Sequence, residues 1–321
     1  MAIIPLPLKA GGRIAVISPA GPVGEDETKR GVEFFERLGY KLDLMPHALM
    51  TGNQSYLAAS DTDRAVDLEQ ALTNDRYDAV FCTRGGYGSM RLLPLLNYNN
   101  ILKKIKRKPF VGFSDISALQ WALHDRSAWI TWSGPQLARG FGGEDRGEGF
   151  GGLDRFSGEC WMDALQGRMW GKVLPMPEGK SLNVLRDGLN LLGPILGGNL
   201  AVLAALCGTP FQPSFAGGIA VLEEIDEPLY RIDRMITQLS QSGVFKGVRG
   251  ILLGRFVQHV QGEAVDLNAE AAEIVMDAVP GVPVVTGAPY GHVGPCWTLP
   301  IGAEATLDLK QKTLTLEKRQ S

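Results

Sequence analysis

Along residues 1–135, short apolar runs alternate with stretches of helical spacing. Arg13–Ser18 (RIAVIS) is an apolar run that ends in PAGP. Glu25–Leu38 follows with an apolar stripe of Val32, Phe34, Phe35 and Leu38, and Leu42–Met45 reads as a strand. Ser60, with Asp63 three residues on, marks a helix start, because a hydroxyl there can accept a hydrogen bond from a first-turn N–H. Ala79–Thr83 (AVFCT), Phe110–Phe113 and Trp129–Trp132 are further strands, and Ala118–Leu123 is helical. Strands separated by helices need crossover connections, which make a parallel, doubly wound sheet. Ligands of such sheets bind beyond the carboxyl ends of the strands, so the informative residues are those that follow strands.

The pattern changes at Gly140. FGGEDRGEGFGG is glycine-rich and acidic, and Trp161, Trp170 and prolines come after it. This predicts an N-terminal α/β domain over 1–140, a linker with short elements over 141–189 and a smaller C-terminal α/β domain over 190–321. In the last, Ile219–Leu222, Ile251–Phe256 and Pro283–Thr286 read as strands, and Leu229–Leu239 and Ala269–Ala278 as helices. The end, AEATLDLKQKTLTLEK, alternates apolar and polar residues around Gln311-Lys312, the mark of a half-buried hairpin.

Composition narrows the function classes. The chain has 321 residues, 45% apolar and 21% charged, which fits a folded protein with a sizeable core and about two domains. The formal charge is −3, and the densest basic run is Lys103–Lys108 (KKIKRK). Nucleic acid is not an expected partner, since phosphate binding needs a basic face; the run reads as a solvated helix end before a buried strand. Cys82, Cys160, Cys207 and Cys296 are widely spaced and read as small buried thiols. Neither they nor the four histidines cluster as metal ligands do, so no metal or other cofactor is expected. The N-terminus lacks the pattern of a signal peptide, and no run is long and apolar enough to span a membrane. A cytoplasmic protein is the expectation.

Three segments follow strands and carry candidate chemistry. TRGGYGSMRLL (Thr83–Leu93) has adjacent glycines that could present N–H groups to an anion, or could simply make a tight turn. It lacks the spacing and the Lys-Ser/Thr ending of a nucleotide loop. Gly112-Phe113-Ser114-Asp115 places a serine between strand and helix, where its hydroxyl can stand exposed with the next N–H beside it. Residue 116 is Ile, not the Gly of the usual nucleophile elbow, and a helix cap by Ser114 or Asp115 explains the same residues. Glu223 ends the run GIAVLEE, and His292 lies in a Gly/Pro-rich loop after VPVVTGAP. The order Ser…Glu…His is one known to support acyl transfer. His47 lies near a strand end, His124 at a helix end where a cation is favoured, and His259 in a polar stretch read as an exposed loop.

Taken together, AVISPAGPV, TRGGYGSMRLLP, PFVGFSDISAL, GGNLAVLAALCGTP, VLEEIDEPLYRIDRM and GHVGPCWTLPIGAEATLD resemble, in order, the signature blocks of the LD-carboxypeptidases, or muramoyltetrapeptide carboxypeptidases. The resemblance runs from about Ile14 to Asp308, with residues 140–189 unmatched. It implies a two-domain serine peptidase with its active site at the domain junction, usually a homodimer. Ser114 would be the nucleophile, His292 the base and Glu223 the orienting acid, although Glu224 stands where relatives often carry Asp. The N–H groups of Asp115, Gly85 and Gly86 are candidates for the oxyanion hole. The implied substrate is a murein tetrapeptide cut before its terminal D-alanine. Arg84, Arg231 and Arg234 are candidates to hold its carboxylate, with Tyr87 beside them; helix-surface pairing with Asp233 or Glu227 is the other reading of Arg231 and Arg234. Three rivals remain. One is a self-immunity peptidase acting on a peptide–nucleotide antibiotic, which a nucleotide-stacking Trp161 or Trp170 would favour. The others are a non-catalytic binding protein and a nicotinamide-dependent enzyme.

Overall fold

The structure, a computed structural model, describes residues 2–104 and 107–318. The described chain divides into two compact units, Met1–Arg168 with Thr298–Pro300, and Met169–Trp297 with Ile301–Ser321.

In the first unit, β1 (Arg13–Ile17), α1 (Glu25–Arg37), β2 (Lys41–Leu44), α2 (Asp61–Thr73), β3 (Ala79–Cys82), α3 (Tyr98–Lys104), β4 (Phe110–Gly112), α4 (Ser117–Ser127) and β5 (Thr131–Ser133) alternate as expected. The strands β2-β1-β3-β4-β5 are parallel neighbours, and β12 (Leu299–Ile301) extends the sheet beyond β5. The central strands β3 and β4 are buried throughout, which is why they read as unbroken apolar runs. Ser60 caps α2 as predicted, its side chain accepting from the Asp63 N–H. The stripe on α1 is narrower than expected. Phe34 and Phe35 are buried, but Leu38 is the C-cap and faces water.

Residues 141–189 are divided between the units. Their first part forms α5 (Arg155–Leu165), whose N-cap Asp154 accepts from the Ser157 N–H. Trp161 on α5 is buried in the first unit's core, with its ring centroid 5.1 Å from Phe35, 5.2 Å from Phe81 and 4.7 Å from Phe141. Its indole N–H donates to the Pro135 carbonyl at 2.9 Å. It therefore presents no face to a ligand. The basic run also needs correcting. Lys103 and Lys104 are exposed on the last turn of α3, and Ile105 and Lys106 lie outside the described residues. Lys108, however, is buried, and its ammonium donates to the carbonyls of Ala71 (3.0 Å) and Asn74 (2.6 Å) at the end of α2. A cation there meets the negative end of the helix dipole, which offsets part of its burial.

The second unit contains β6 (Asn183–Arg186), β7 (Leu191–Asn199), α6 (Leu200–Ala205), β8 (Ile219–Ile225), α7 (Leu229–Gln241), β9 (Gly250–Val260), β10 (Glu263–Asp266), α8 (Asn268–Ala278), β11 (Val284–Thr286), β13 (Glu304–Asp308) and β14 (Thr313–Leu316). Among the described residues its sheet runs β14-β13-β7-β8-β9-β11-β6, with β10 paired to β9. The core β7-β8-β9-β11 is parallel. The expected hairpin is present as β13–β14, with alternating burial. His259 lies on β9, not in a loop. Cys82 and Cys160 are buried, but Cys207 and Cys296 are only half-buried. Among the described residues no helix is long and apolar enough to cross a membrane.

Replacing Trp161 with Ala removes an aromatic body from a packed core and should cost about 3–5 kcal/mol. Urea unfolding of the variant beside the parent measures it; a loss below about 1 kcal/mol would place Trp161 outside the load of the core.

Candidate active site

Ser114 follows β4 after one intervening residue, Phe113, and its backbone is left-handed, with φ +62°. For a residue with a Cβ this costs about 1–2 kcal/mol, so surrounding structure must hold it. Several features do. A Cβ at Gly112 would lie 2.4 Å from the Ile116 side chain, so Gly112 lets Ile116 fold back under the turn. Ile116 is fully buried, which explains the departure from the usual elbow pattern. Asp115 is buried, and its carboxylate accepts from the Ser89 N–H at 2.8 Å while its carbonyl accepts from the Ser89 hydroxyl. Burial pushes the Asp115 carboxyl up, and the Ser89 donors partly offset this.

The glycine loop after β3 closes on the same turn. A Cβ on Gly85 would sit 2.9 Å from the Ser114 Cβ and 3.1 Å from the Asp115 nitrogen, so only glycine permits this approach. Gly86 has φ +107° and Gly88 +124°. Gln136 joins the two segments: its Oε1 accepts from the Gly85 N–H at 2.9 Å, and its Nε2 donates to the Phe113 carbonyl at 3.2 Å. The Gly85 N–H is thus already engaged. Arg64, buried, donates to the Pro19 and Gly88 carbonyls and ties the loops after β1 and β3 together. Arg84 donates to the Pro22 carbonyl at 3.2 Å, while its buried Nε has no partner among the described residues. Tyr87 is exposed and meets Tyr56 edge-on at 5.6 Å between centroids.

In the second unit, Glu223 and His292 are brought together. Glu223 is entirely buried, and its Oε2 lies 2.8 Å from the His292 Nδ1. The histidine loop is pinned to β9, with the Arg255 N–H donating to the Tyr290 carbonyl at 2.8 Å. A Cβ on Gly254 would lie 2.3 Å from that carbonyl and 3.2 Å from the Glu223 Cβ, so glycine is needed for the loop to lie there. Glu223 falls where the β8–β9 register shifts, between Leu222 and Glu224. β9 carries the extra residue there, with three steps from Leu253 to Phe256 against two from Leu222 to Glu224, and irregularities of this kind recur beside active sites. Burial alone would lower the His292 pKa. The charge and hydrogen bond of Glu223 outweigh it, with Glu224 and Asp226 adding, and the net direction is upward.

Glu224 takes a different place from Glu223. Its carboxylate accepts from the Ala201 N–H (2.7 Å), the Ile225 N–H (2.8 Å) and the Asn199 side chain (3.0 Å). Burial first, then the neighbouring Glu223, push it up to about 7, with those donors opposing. Arg231 pairs with Glu227 at 2.9 Å on the surface of α7, and Arg234 lies over the Tyr230 ring at 5.6 Å. His47 bonds to Asp67, and His259 to Asp226. His124 is pushed down by burial, so the helix end does not favour its cation. Gln136, Asn199 and Arg64 were not singled out by the sequence reading. Only Asn199 left a trace, as the polar residue in GGNLAVL. Among the described residues no three His, Cys, Asp or Glu side chains converge as a metal site.

A strained serine after a parallel strand and a buried acid–histidine pair define an α/β protein with the parts of a hydrolase. Residues 14–134 match the model of the LD-carboxypeptidase N-terminal domain, and residues 192–307 that of the LD-carboxypeptidase C-terminal domain. The chain belongs to the LD-carboxypeptidase family. It is 36% identical to the Streptomyces coelicolor protein SCO6489 over 98% of this chain and 96% of that one. It is 31% identical to the murein tetrapeptide carboxypeptidase of Pseudomonas aeruginosa over 92% and 93%. The microcin C7 self-immunity protein MccF of Escherichia coli is 26% identical over 99% and 96%. A solved structure of MccF with glutamyl sulfamoyl guanosine shares the fold, with TM-score 0.85, 24% identity and 99% of each chain covered.

Two stability predictions follow from these environments. Ser114→Gly should stabilise the protein by up to about 1 kcal/mol relative to Ser114→Ala, because only glycine takes positive φ without strain. Urea unfolding of the pair measures it, and equal stability would contradict the strain. For Glu224, a folded value of about 7 against an ordinary 4.5 means stability present below pH 4.5 and lost as pH rises through about 7. The melting temperature of the parent should therefore fall relative to Glu224→Gln across that window and level off above it. A pH-independent difference would contradict the assignment.

Proposed function

We propose that the chain is a serine LD-carboxypeptidase that releases the terminal D-alanine of murein tetrapeptides. The observation that carries this is the Glu223–His292 bond: a buried carboxylate accepting from Nδ1–H favours the tautomer whose Nε2 can take a proton. The left-handed Ser114 supports it from the first unit, since strain of this kind is kept where a nucleophile must stand exposed.

On this reading His292 Nε2 takes the Ser114 proton as the oxygen attacks the carbonyl carbon of the peptide bond. Glu223 holds the tautomer and stabilises the imidazolium. The N–H groups of Asp115 and Gly86 receive the oxyanion; Gly85, whose N–H serves Gln136, shapes the turn instead. Each such donor is worth roughly 10²–10³ in turnover. The imidazolium then protonates the D-alanine amine, the acyl–Ser114 ester remains, and water activated by His292 releases the shortened peptide. Arg84 takes the terminal carboxylate, because its buried Nε lacks a partner among the described residues and it adjoins the glycine loop. Tyr87 flanks it. Arg231, bound to Glu227, is the weaker candidate. The enzyme would act in the cytoplasm, on recycled wall peptides, as a homodimer.

The self-immunity reading needs a tryptophan able to stack on a nucleobase; Trp161 is core, and the half-buried Trp170 is the one left to it. A non-catalytic binding protein would have no use for a strained serine.

Incubation with purified murein tetrapeptide, followed by mass spectrometry, should show D-alanine release by the parent and none by Ser114→Ala. Release should persist in EDTA. Release by both proteins would remove Ser114 from its role, and loss in EDTA restored by zinc would contradict the serine mechanism. Arg84→Ala should raise KM by roughly 10–100-fold, the size of a lost charged hydrogen bond, with a smaller change in kcat; an unchanged KM would remove Arg84 from carboxylate binding.

A further inference from the structure

We infer that Glu224 is a positioning residue: together with Asn199 it fixes the Glu223 carboxylate on His292 and sets the pH at which that histidine becomes a base. Its catalytic meaning rests on the peptidase reading above, while its geometry lies wholly within the second unit.

Consecutive side chains of a regular strand point to opposite faces. Glu223 and Glu224 nevertheless both reach one amide group, the Asn199 Nδ2, at 3.2 Å and 3.0 Å. Both can reach it because Asn199 sits at the end of β7, beside the end of the strand that carries the two acids. Asn199 is aligned by β7–β8 pairing, which sets it directly opposite Glu223. Its position depends on glycine, since a Cβ at Gly197 would lie 2.0 Å from the Val221 carbonyl oxygen. The Asn199 Oδ1 accepts from the Val202 N–H at 3.2 Å, so its NH2 group is the part turned to the acids, one hydrogen for each.

Glu224 is held from the other side by the N–H groups of Ala201 and Ile225. A second acid buried beside the triad acid is costly unless its charge or proton is used. The charged groups around His292 are Glu223, Glu224 and Asp226, and Asp226 is itself bound to His259. Arg255, on the neighbouring strand, holds the loop through its backbone N–H. Glu224 is pushed up to about 7, so its charge changes where a histidine base operates. Ionised, it strengthens proton binding by His292; protonated, it relieves the repulsion on Glu223. The two groups titrate as a linked pair.

The test is an NMR titration of the imidazoles of the full chain. There are only four histidines, and the His292 signal is the one lost in His292→Gln. Glu224→Gln should lower the His292 midpoint by about one pH unit, the lower end of what a nearby charge exerts. Glu224→Asp, which keeps the charge, should restore a midpoint near that of the parent. Unshifted signals from the other three histidines report that each variant is folded. An unmoved His292 midpoint in folded Glu224→Gln overturns the inference, as does an equal fall in both variants. The acid limb of kcat/KM should move to lower pH in Glu224→Gln alone. If the parent releases no D-alanine but the midpoint moves as stated, the peptidase reading fails and the positioning role stands.

Discussion

The second unit is organised around a carboxylate that has lost all contact with water. Leaving such a charge without compensation costs several kcal/mol, so Glu223 must have partners. Among the described residues these include the His292 ring nitrogen and the Asn199 amide. Much of the local structure follows from supplying them. Gly254 lets the histidine loop lie on β9, Gly197 lets Asn199 come beside β8, and regular β7–β8 pairing sets Asn199 opposite the acid. The glycines are thus part of the electrostatics: each removes a Cβ that would keep a partner away.

The first unit solves a different problem, with backbone geometry in place of charge. A left-handed serine is uphill, and it is held by what surrounds it. Ile116 packs under Gly112, Ser89 binds Asp115 twice, and Gly85 abuts the serine Cβ. Gln136 and Arg64 fasten the neighbouring loops to one another. The conformation of Ser114 is therefore shared among three strand ends. Substitutions at Gln136 or Arg64, neither of which belongs to the proposed triad, would loosen it.

The parts legible in the sequence were those written in local pattern. Buried parallel strands declared themselves as apolar runs, the α2 cap as Ser60 with Asp63, and the terminal hairpin as strict alternation. The acid–histidine pair was legible as residue types after strands, but the choice between Glu223 and Glu224 was not. Which acid meets His292 and which meets the Ala201 and Ile225 N–H groups depends on partners distant in the chain, and these have no local signature. Lys108 departs from its expectation for a related reason, and the place where Trp161 packs was equally out of sight. A basic run and a glycine-rich stretch look solvent-bound in one dimension, and only the packed chain supplies the helix end and the aromatic cluster that receive them. Gln136 and Arg64 left no trace at all, since a polar residue gives no sign in sequence of which distant carbonyl it will meet.

The central claim is that the buried Glu223–His292 pair activates Ser114. The most direct measurement is the rate at which a fluorophosphonate labels the protein, with the modified peptide located by mass spectrometry. The account predicts a single adduct on Ser114, and a labelling rate that falls by roughly 10³–10⁴-fold in Glu223→Gln, as when another triad loses the acid that sets its tautomer. Labelling of a different residue, or an unchanged rate in folded Glu223→Gln, would contradict it.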